Sequence, residues 1–184
     1  MNVEVDEFPG REINVQGNKF LYFGGTGYLG LQKDEAFLQL YSDALQKYGS
    51  NYGASRKANV RLSIFEKAEC HLANLVGSDA CLSMSSGFLA GQFLAQTLVK
   101  DHEACFYAPN THSALYTVQQ KNKSYVTFSS LNIALRHYVE DAQNKTPIVF
   151  LDAIDFSGAN YPYFEGLKKL PLSKIILVVD DSHG

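Results

Sequence analysis

The chain has 184 residues, a formal net charge of −3 and an apolar fraction of 46%, values typical of a globular protein with its own core. It has no run of about 18 apolar residues, so we expect no membrane span, and its negative charge argues against nonspecific nucleic-acid binding. Its three cysteines form no C-x-x-C pair, which favours reduced thiols in a cytoplasmic protein over a disulfide framework or a zinc site.

The first part of the chain is predicted to be a polar arm followed by one helix. Residues 1–20 are mostly polar and irregular, and they lack the apolar segment of a secretory signal. An apolar cluster at 20–23 and a glycine-rich stretch at 24–30 follow. Asp34 is then placed as an N-cap, apolar residues recur at helical spacing, and Gly49 marks the end of the helix.

The rest of the chain predicts an α/β fold. A helix begins at Ser63, with Glu66 as its capping-box partner, and ends before Gly77. Predicted strands then alternate with helices, which implies crossover connections and a mainly parallel sheet with flanking helices. The strands are predicted at 80–84, 104–108, 124–128, 147–153 and 174–179, and the helices at 88–99, from after His112 to about 120, and at 133–143.

The stretch 24–30 reads GGTGYLG and has the glycine spacing of a dinucleotide-binding turn. Such a turn needs a strand before it, a helix directly after it, and an acidic residue at the end of a second strand about 20 residues further on. The segment where that second strand should lie is neither apolar nor β-branched. A nicotinamide-dependent oxidoreductase is therefore the weaker interpretation of this motif.

Polar residues follow several predicted strands, at the edge where ligands of α/β sheets bind. The last strand ends in Asp180 and Asp181, followed by His183. Because successive strand residues face opposite sides of a sheet, the two aspartates should not share a role. A strand followed by acidic residues also occurs in nucleotide-driven motors, but the G-x-x-x-x-G-K-[ST] loop that they require is absent from this sequence.

Two earlier strand ends have both an ordinary and a functional interpretation. Ser85, Ser86 and Gly87 precede a predicted helix, whose first amides suit a phosphate group, although N-capping by Ser85 or Ser86 is the ordinary interpretation. His112 is either a loop histidine at the start of a helix or a flat ring at the same sheet edge. The convergence of three polar strand ends on one edge favours a site.

In this order and spacing the motifs resemble the N-terminal half of the α-oxoamine synthases, the family of 8-amino-7-oxononanoate synthase and 2-amino-3-ketobutyrate CoA ligase. These are pyridoxal-phosphate enzymes of the aspartate-aminotransferase fold. The resemblance covers about residues 20–184, and the ordered series carries it rather than any one motif. The motifs are YLGL at 28–31, YGS…GASR at 48–56, FEKAE at 65–69, SSGFLA at 85–90, NTHSA at 110–114 and VVDDSHG at 178–184.

The resemblance implies pyridoxal 5′-phosphate as the cofactor, with catalytic roles for three residues. His112 would stack on the pyridine ring, Asp180 would pair with the ring nitrogen, and His183 would hydrogen-bond the phenolic oxygen. A carboxylate beside the ring nitrogen keeps it protonated, which makes the cofactor a stronger electron sink.

The resemblance also implies a phosphate site and an assembly. The amides of Gly87 and Phe88, with the Ser86 region, would hold the cofactor phosphate. Residues 1–49 would form an N-terminal arm and helix, and residues 50–184 the first part of a truncated cofactor-binding large domain. The complete protein would be a homodimeric biosynthetic transferase.

The implied reaction condenses an amino acid with an acyl-CoA. An aminotransferase on the same fold and a non-catalytic remnant are the alternatives. The chain departs from the family pattern in three ways. Thr26 and Gly27 stand where an asparagine is usual, Asp155 stands where a serine is expected near the ring, and the Schiff-base lysine would lie beyond Gly184. We therefore expect the 184 residues alone to be inactive.

Overall fold

A computed structural model describes residues 2–100, 104–117, 124–141, 145–155, 157–158 and 160–183. Its contacts divide the chain into two compact units, Met1–Leu62 and Ser63–Gly184, and each is described by itself. The predicted division after residue 49 falls inside the first unit and stays a prediction. None of the described helices is long and apolar enough to cross a membrane.

The first unit begins with a β-hairpin. Strand β1 (Glu12–Val15) pairs with β2 (Asn18–Leu21) in antiparallel register. The two residues between them, Gln16 and Gly17, both have positive φ angles, 51° and 83°, as the favoured two-residue hairpin turns require. The prediction that residues 1–20 are irregular is wrong here. The turn lacks the usual Asn-Gly or Asp-Gly pair, so its sequence signal is weak.

Helix α1 (Glu35–Tyr48) has the ends that the sequence predicts. The side chain of Asp34 accepts a hydrogen bond from the amide of Phe37 at 2.8 Å, which satisfies one of the unpaired donors at the helix start. Gly49 has a φ of 77° and donates its amide to the carbonyl of Leu45. No residue of α1 is buried in the described structure, so its apolar side chains face solvent.

The second unit is built on a three-stranded parallel sheet. Its strands are β3 (Cys105–Tyr107), β4 (Ile148–Asp152) and β5 (Ile176–Asp180), in the order β3-β4-β5. The predicted parallel pairing is confirmed for these three strands. Asp152 and Asp180 lie side by side at the carboxyl ends of β4 and β5, so the strands present their polar ends at one edge.

Helices cover both faces of this sheet. They are α3 (Gly87–Val99), α4 (Phe128–Glu140) and the short α5 (Glu165–Lys168), and α2 (Ser63–Val76) precedes them in the chain. Along β4, Ile148 and Phe150 pack into a cluster with Ala95 of α3, whereas Val149 and Leu151 pack into a cluster with α4 residues such as Leu131. This alternation places β4 in the centre of a two-sided core, as expected for a parallel strand.

Residues 80–84, predicted to be a strand, do not join the sheet. No strand of the described structure pairs with them, and the side chain of Leu82 is 62% exposed. The amide of Ser83 instead donates to the carboxylate of Glu69 on α2 at 2.6 Å. A side chain therefore replaces the backbone partner that a strand requires.

The predicted strand at 124–128 is also wrong. The amide of Tyr125 donates to the carbonyl of Tyr107 at 2.9 Å, which gives one strand-like bond. Thr127 then caps α4 in a reciprocal capping box with Ser130, so Phe128 is already helical. Helix α4 thus begins before the predicted residue 133 and ends at Glu140, and the predicted end at residue 143 lies outside the described residues.

The predicted helix after His112 is a single turn of 3-10 helix, Ser113–Leu115. Tyr116 directly after it is extended, with φ −77° and ψ 136°, so the backbone leaves the helical region there. The predicted end near residue 120 lies outside the described residues.

Candidate active site

A cleft of about 440 Å³ lies at the carboxyl edge of the parallel sheet. Ligands of α/β sheets bind at this edge, where loops connect the strands to the following helices. Three of the predicted site residues, His112, Asp180 and His183, line the cleft. The full lining is Asn110, His112, Asp152, Ile154, Asp155, Ser157, Asp180, Ser182 and His183.

The loop that carries His112 is anchored at the end of β3. The hydroxyl of the buried Thr111 shares its one proton between the carbonyls of Ala108 and Phe150, at 2.8 and 3.1 Å. The residue next to His112 is thereby hydrogen-bonded to the backbone directly after β3 and to that of β4. The loop leaves the sheet at a fixed point, which limits where the histidine ring can lie.

Hydrogen bonds also fix the backbone of His112 and determine the tautomer of its ring. Its backbone amide donates to both carboxylate oxygens of Asp152, at 3.1 and 3.3 Å. Its ring Nδ1 accepts a hydrogen bond from the amide of Ala114 at 3.2 Å. Because Nδ1 is an acceptor, the proton of the neutral ring lies on Nε2. The ring of Phe88 meets the His112 ring edge-on, with centroids 6.4 Å apart.

Asp180 ends β5 with one oxygen engaged. Its Oδ1 accepts hydrogen bonds from the amide and the hydroxyl of Ser182, at 3.1 and 2.5 Å. Among the described residues no donor reaches Oδ2, so that oxygen is available to a ligand in the cleft. The neighbouring Asp181 is exposed and does not line the cleft, in agreement with the expectation that the two aspartates differ in role.

The surroundings of Asp152 shift the pKa of its carboxyl. Burial raises the pKa of its carboxyl above the ordinary value, and the nearby carboxylates of Asp180 and Asp155 raise it further. The amide hydrogen bond from His112, and the electrostatic effect of that residue, lower the pKa and offset part of the rise. No sequence signal points to this residue, because it is simply the last residue of an apolar strand.

The pH dependence of stability should reveal Asp152. Because folding raises its pKa, the folded protein holds this proton more tightly than the unfolded chain does. The free energy of unfolding should therefore fall as the pH rises from the ordinary pKa of 3.8 through the raised value. Asp152→Asn should lose that part of the fall, whereas the exposed Asp181→Asn should keep it. Urea unfolding of the complete protein at a series of pH values measures this, and parallel curves for wild type and Asp152→Asn would contradict it.

Asp155, a buried carboxylate, organises the loop after β4. The residue is 6% exposed, and its only signal in the sequence is the departure from the family pattern. Its Oδ1 accepts hydrogen bonds from the amide and the hydroxyl of Ser157, at 2.7 and 2.5 Å, and from the side-chain amide of Asn110 at 3.2 Å. Asn110 also donates to the hydroxyl of Ser157 at 2.8 Å and has a φ of 59°. This network joins the loops after β3 and β4 across the cleft wall.

The predicted phosphate-binding residues lie at the start of α3 and do not line the cleft. The side chain of Ser86 caps the helix by accepting from the amide of Leu89 at 3.1 Å, so its N-cap interpretation is confirmed. In the described part of the chain no acceptor contacts the amides of Gly87 and Phe88, as is usual for the first residues of a helix. The edge contact between Phe88 and His112 is what connects this end to the cleft. The cofactor roles of these residues stay predictions.

The polar side chains of the cleft suit the hydrogen-bonding groups of a pyridoxal-phosphate ring. Asp180 offers an unengaged carboxylate oxygen, the partner that a protonated ring nitrogen needs. The Nε2–H of His112 and the imidazole of His183 offer hydrogen-bond donors near it. The free amides at the start of α3 suit the phosphate, since anions bind at helix N-termini.

Comparisons with known proteins agree with this chemistry. No family model matches the chain. The chain is 25% identical over 175 residues to the 8-amino-7-oxononanoate synthase of Nitrosomonas eutropha, a match that covers 94% of this chain and 45% of that protein. It is 26% identical over 187 residues to the serine palmitoyltransferase of Bacteroides ovatus, covering 98% of this chain and 47% of that protein. The chain thus spans about half the length of the curated relatives it matches.

Solved structures establish the fold. A structure described as SPT with PLP internal aldimine superposes with a TM-score of 0.77 at 18% identity, over 98% of this chain and 46% of that one. The serine palmitoyltransferase of Sphingomonas wittichii gives a TM-score of 0.80 at 17% identity, over 97% and 46%. The predicted aspartate-aminotransferase-like large domain is confirmed in incomplete form. The resemblance drawn from the motifs is confirmed as well, since the homologues of this chain are named 8-amino-7-oxononanoate synthase and serine palmitoyltransferase.

Proposed function

We propose that this chain supplies the first part of the cofactor site of a pyridoxal-phosphate-dependent transferase that condenses an amino acid with an acyl-CoA. The observation that carries the proposal is the cleft at the sheet edge, which contains His112, Asp180 and His183 together. These are the residues to which the resemblance assigns contacts with the pyridine ring. Pyridoxal phosphate, when bound, supplies an electron sink for charge that develops at the amino-acid carbon.

Asp180 has the central role in this proposal. Its Oδ2 would accept a hydrogen bond from the protonated pyridine nitrogen of a bound cofactor, and its negative charge would keep the proton there. Ser182 supports this role by donating twice to Oδ1, which orients the carboxylate. A preorientated charge needs no rearrangement as the reaction proceeds.

His112 orients the ring from one side. Its own ring is held by the Nδ1 contact with Ala114, and its backbone is held by Asp152. A flat side chain fixed in this way covers one face of the cofactor and excludes water from it. His183 would donate a hydrogen bond to the phenolic oxygen, and the amides of Gly87 and Phe88 would hold the phosphate at the positive end of α3.

The proposal extends to the whole protein. We infer a homodimeric, cytoplasmic biosynthetic enzyme that uses an amino acid and an acyl-CoA. The relatives, a synthase and a palmitoyltransferase, support the class of reaction, and the cysteine content favours the cytoplasm. Thr26 and Gly27, at the place of the usual asparagine, leave the identity of the amino acid open to assay.

The nicotinamide interpretation of 24–30 finds no support in the fold. The strand before this stretch, β2, belongs to an antiparallel hairpin, and a 3-10 helix, Leu31–Lys33, comes after it. A dinucleotide-binding turn lies between a parallel strand and an α-helix. An aminotransferase on the same fold would use the same ring contacts, so substrate assays must distinguish it.

The test uses the complete protein that contains this chain. Addition of pyridoxal phosphate to the purified protein should give a visible absorbance band, and borohydride should fix the cofactor covalently. Release of free CoA from acyl-CoA, assayed across a panel of amino acids, then identifies the reaction. Binding without CoA release, but with keto-acid exchange, would favour an aminotransferase. Absence of any cofactor band would overturn the proposal.

A further inference from the structure

Helix α3 and the turn that carries His112 are joined by one side chain, Gln92. Its Nε2 donates to the carbonyl of Ala114 at 2.8 Å and to the carbonyl of Tyr116 at 2.7 Å. These carbonyls lie at the middle and the end of the turn that His112 begins. The carboxamide has two N–H donors on one nitrogen, so it can serve both acceptors at once.

The backbone of α3 is unusually close to the same turn. A Cβ atom placed on Gly91 would lie 3.1 Å from both the Cβ and the carbonyl oxygen of Ala114. Contacts this short are tighter than ordinary packing, so a side chain at position 91 would push the turn away. Ala114 itself is only 2% exposed, and the turn has little room to move.

Gln92 therefore connects the two ends of the proposed cofactor site. Helix α3 begins at Gly87, and its first free amides lie one turn before Gln92. His112 precedes the turn that Gln92 holds. We propose that Gln92 is a positioning residue that fixes the His112 ring relative to the start of α3, and so sets the spacing between ring and phosphate contacts. This inference rests on the proposed function of that site.

The chemistry of the contact explains why glutamine suits this position. Both acceptors are backbone carbonyls in a partly buried environment, and a buried acceptor left without a donor is costly. Leucine has a similar volume and no donor, and it would remove the side-chain hydrogen bonds that both carbonyls accept. The turn would then be free to shift, and the Nδ1 contact of His112 with Ala114 would shift with it.

The test compares Gln92→Leu with Thr97→Val in the complete protein. Thr97 lies on the same helix, and its exposed hydroxyl donates only to the carbonyl of Phe93, at 2.7 Å. Two quantities are measured: the ring NMR resonances of His112 in the cofactor-free protein, and the dissociation constant for pyridoxal phosphate. We expect Gln92→Leu to shift the His112 resonances and to raise the dissociation constant about tenfold, the effect of losing a hydrogen bond to buried acceptors. Thr97→Val should change neither.

The outcomes separate this inference from the proposed function. Wild-type protein that binds no pyridoxal phosphate would overturn the proposed function, while the His112 resonances would still test the contact. Unchanged resonances and affinity in folded Gln92→Leu would overturn the inference. If Gln92→Leu fails to fold, Gln92→Met decides. Methionine keeps the length and flexibility of the side chain but lacks its two N–H donors, so it should shift the same resonances, and unshifted resonances in that variant would overturn the inference.

Discussion

Replacing Asp180 by asparagine in the complete protein is expected to lower turnover on the order of 10²–10³-fold, the usual effect of removing one preorganised electrostatic group. Asparagine keeps the shape and the contacts with Ser182, so the cleft should keep its form. The variant lacks the negative charge that holds a proton on the pyridine nitrogen. Cofactor affinity should fall much less than turnover, because the other ring and phosphate contacts remain.

The matched control for this variant is Asp181→Asn. It makes the same chemical change one residue further along, at an exposed position outside the cleft. Turnover should stay near the wild-type value in the control. Steady-state kinetics gives the turnover, and titration with pyridoxal phosphate gives the affinity. Equal turnover in Asp180→Asn and wild type would remove Asp180 from the mechanism.

Local sequence signals predicted the elements whose partners are close in the chain. Asp34 and Ser86 cap their helices as expected, because an N-cap acts on an amide three residues away. The apolar run that ends at Asp180 forms a strand, because a continuous β-branched segment needs burial on both faces. The predicted strands also indicated where the carboxyl edge of the sheet lies. His112, Asp180 and His183 each follow or end a strand at that edge, so their shared location could be predicted.

Long-range partners decided the elements that the sequence did not predict. Residues 80–84 have a strand-like composition, but Glu69 provides the acceptor for the amide of Ser83, and no neighbouring strand does in the described structure. Residues 124–128 are similar in composition, yet the Thr127 capping box starts a helix there. Propensity describes a segment alone, whereas a strand forms only where a neighbour supplies its hydrogen bonds.

The sequence did not predict the residues that support the site, because their hydrogen-bond partners are also distant in the chain. Asp152 contacts His112 from 40 residues away, and Gln92 contacts Ala114 from 22 residues away. An aspartate at a strand end and a glutamine inside an apolar helix are common, and neither carries a motif. A polar residue on the sheet-facing side of a helix is a weak signal, because a partly buried carboxamide needs a partner.

Expressed by themselves, the 184 residues are expected to show no pyridoxal-phosphate-dependent turnover and no covalently fixed cofactor. The cleft of the described residues is lined by carboxylates, imidazoles, an amide and hydroxyls, together with one apolar side chain, and no lysine lines it. Covalent attachment of this cofactor requires a lysine amine at the ring. Lys168 and Lys169 are exposed, as is Lys174 in the turn before β5. None of the three lines the cleft.

The apolar surface of the second unit predicts how the isolated chain behaves in solution. Large apolar side chains stay exposed along α2 and α3, among them Leu75 at 72%, Val76 at 71% and Phe93 at 56%. Exposed apolar area of this kind is normally covered by further protein. The isolated chain should therefore bind a hydrophobic dye and associate at low concentration, whereas the complete protein should not. Dye fluorescence, sedimentation and borohydride reduction with labelled pyridoxal phosphate measure these properties on both proteins. A monodisperse isolated chain carrying reduced cofactor would show that these residues hold a full site, since the lysine would then have to come from within them.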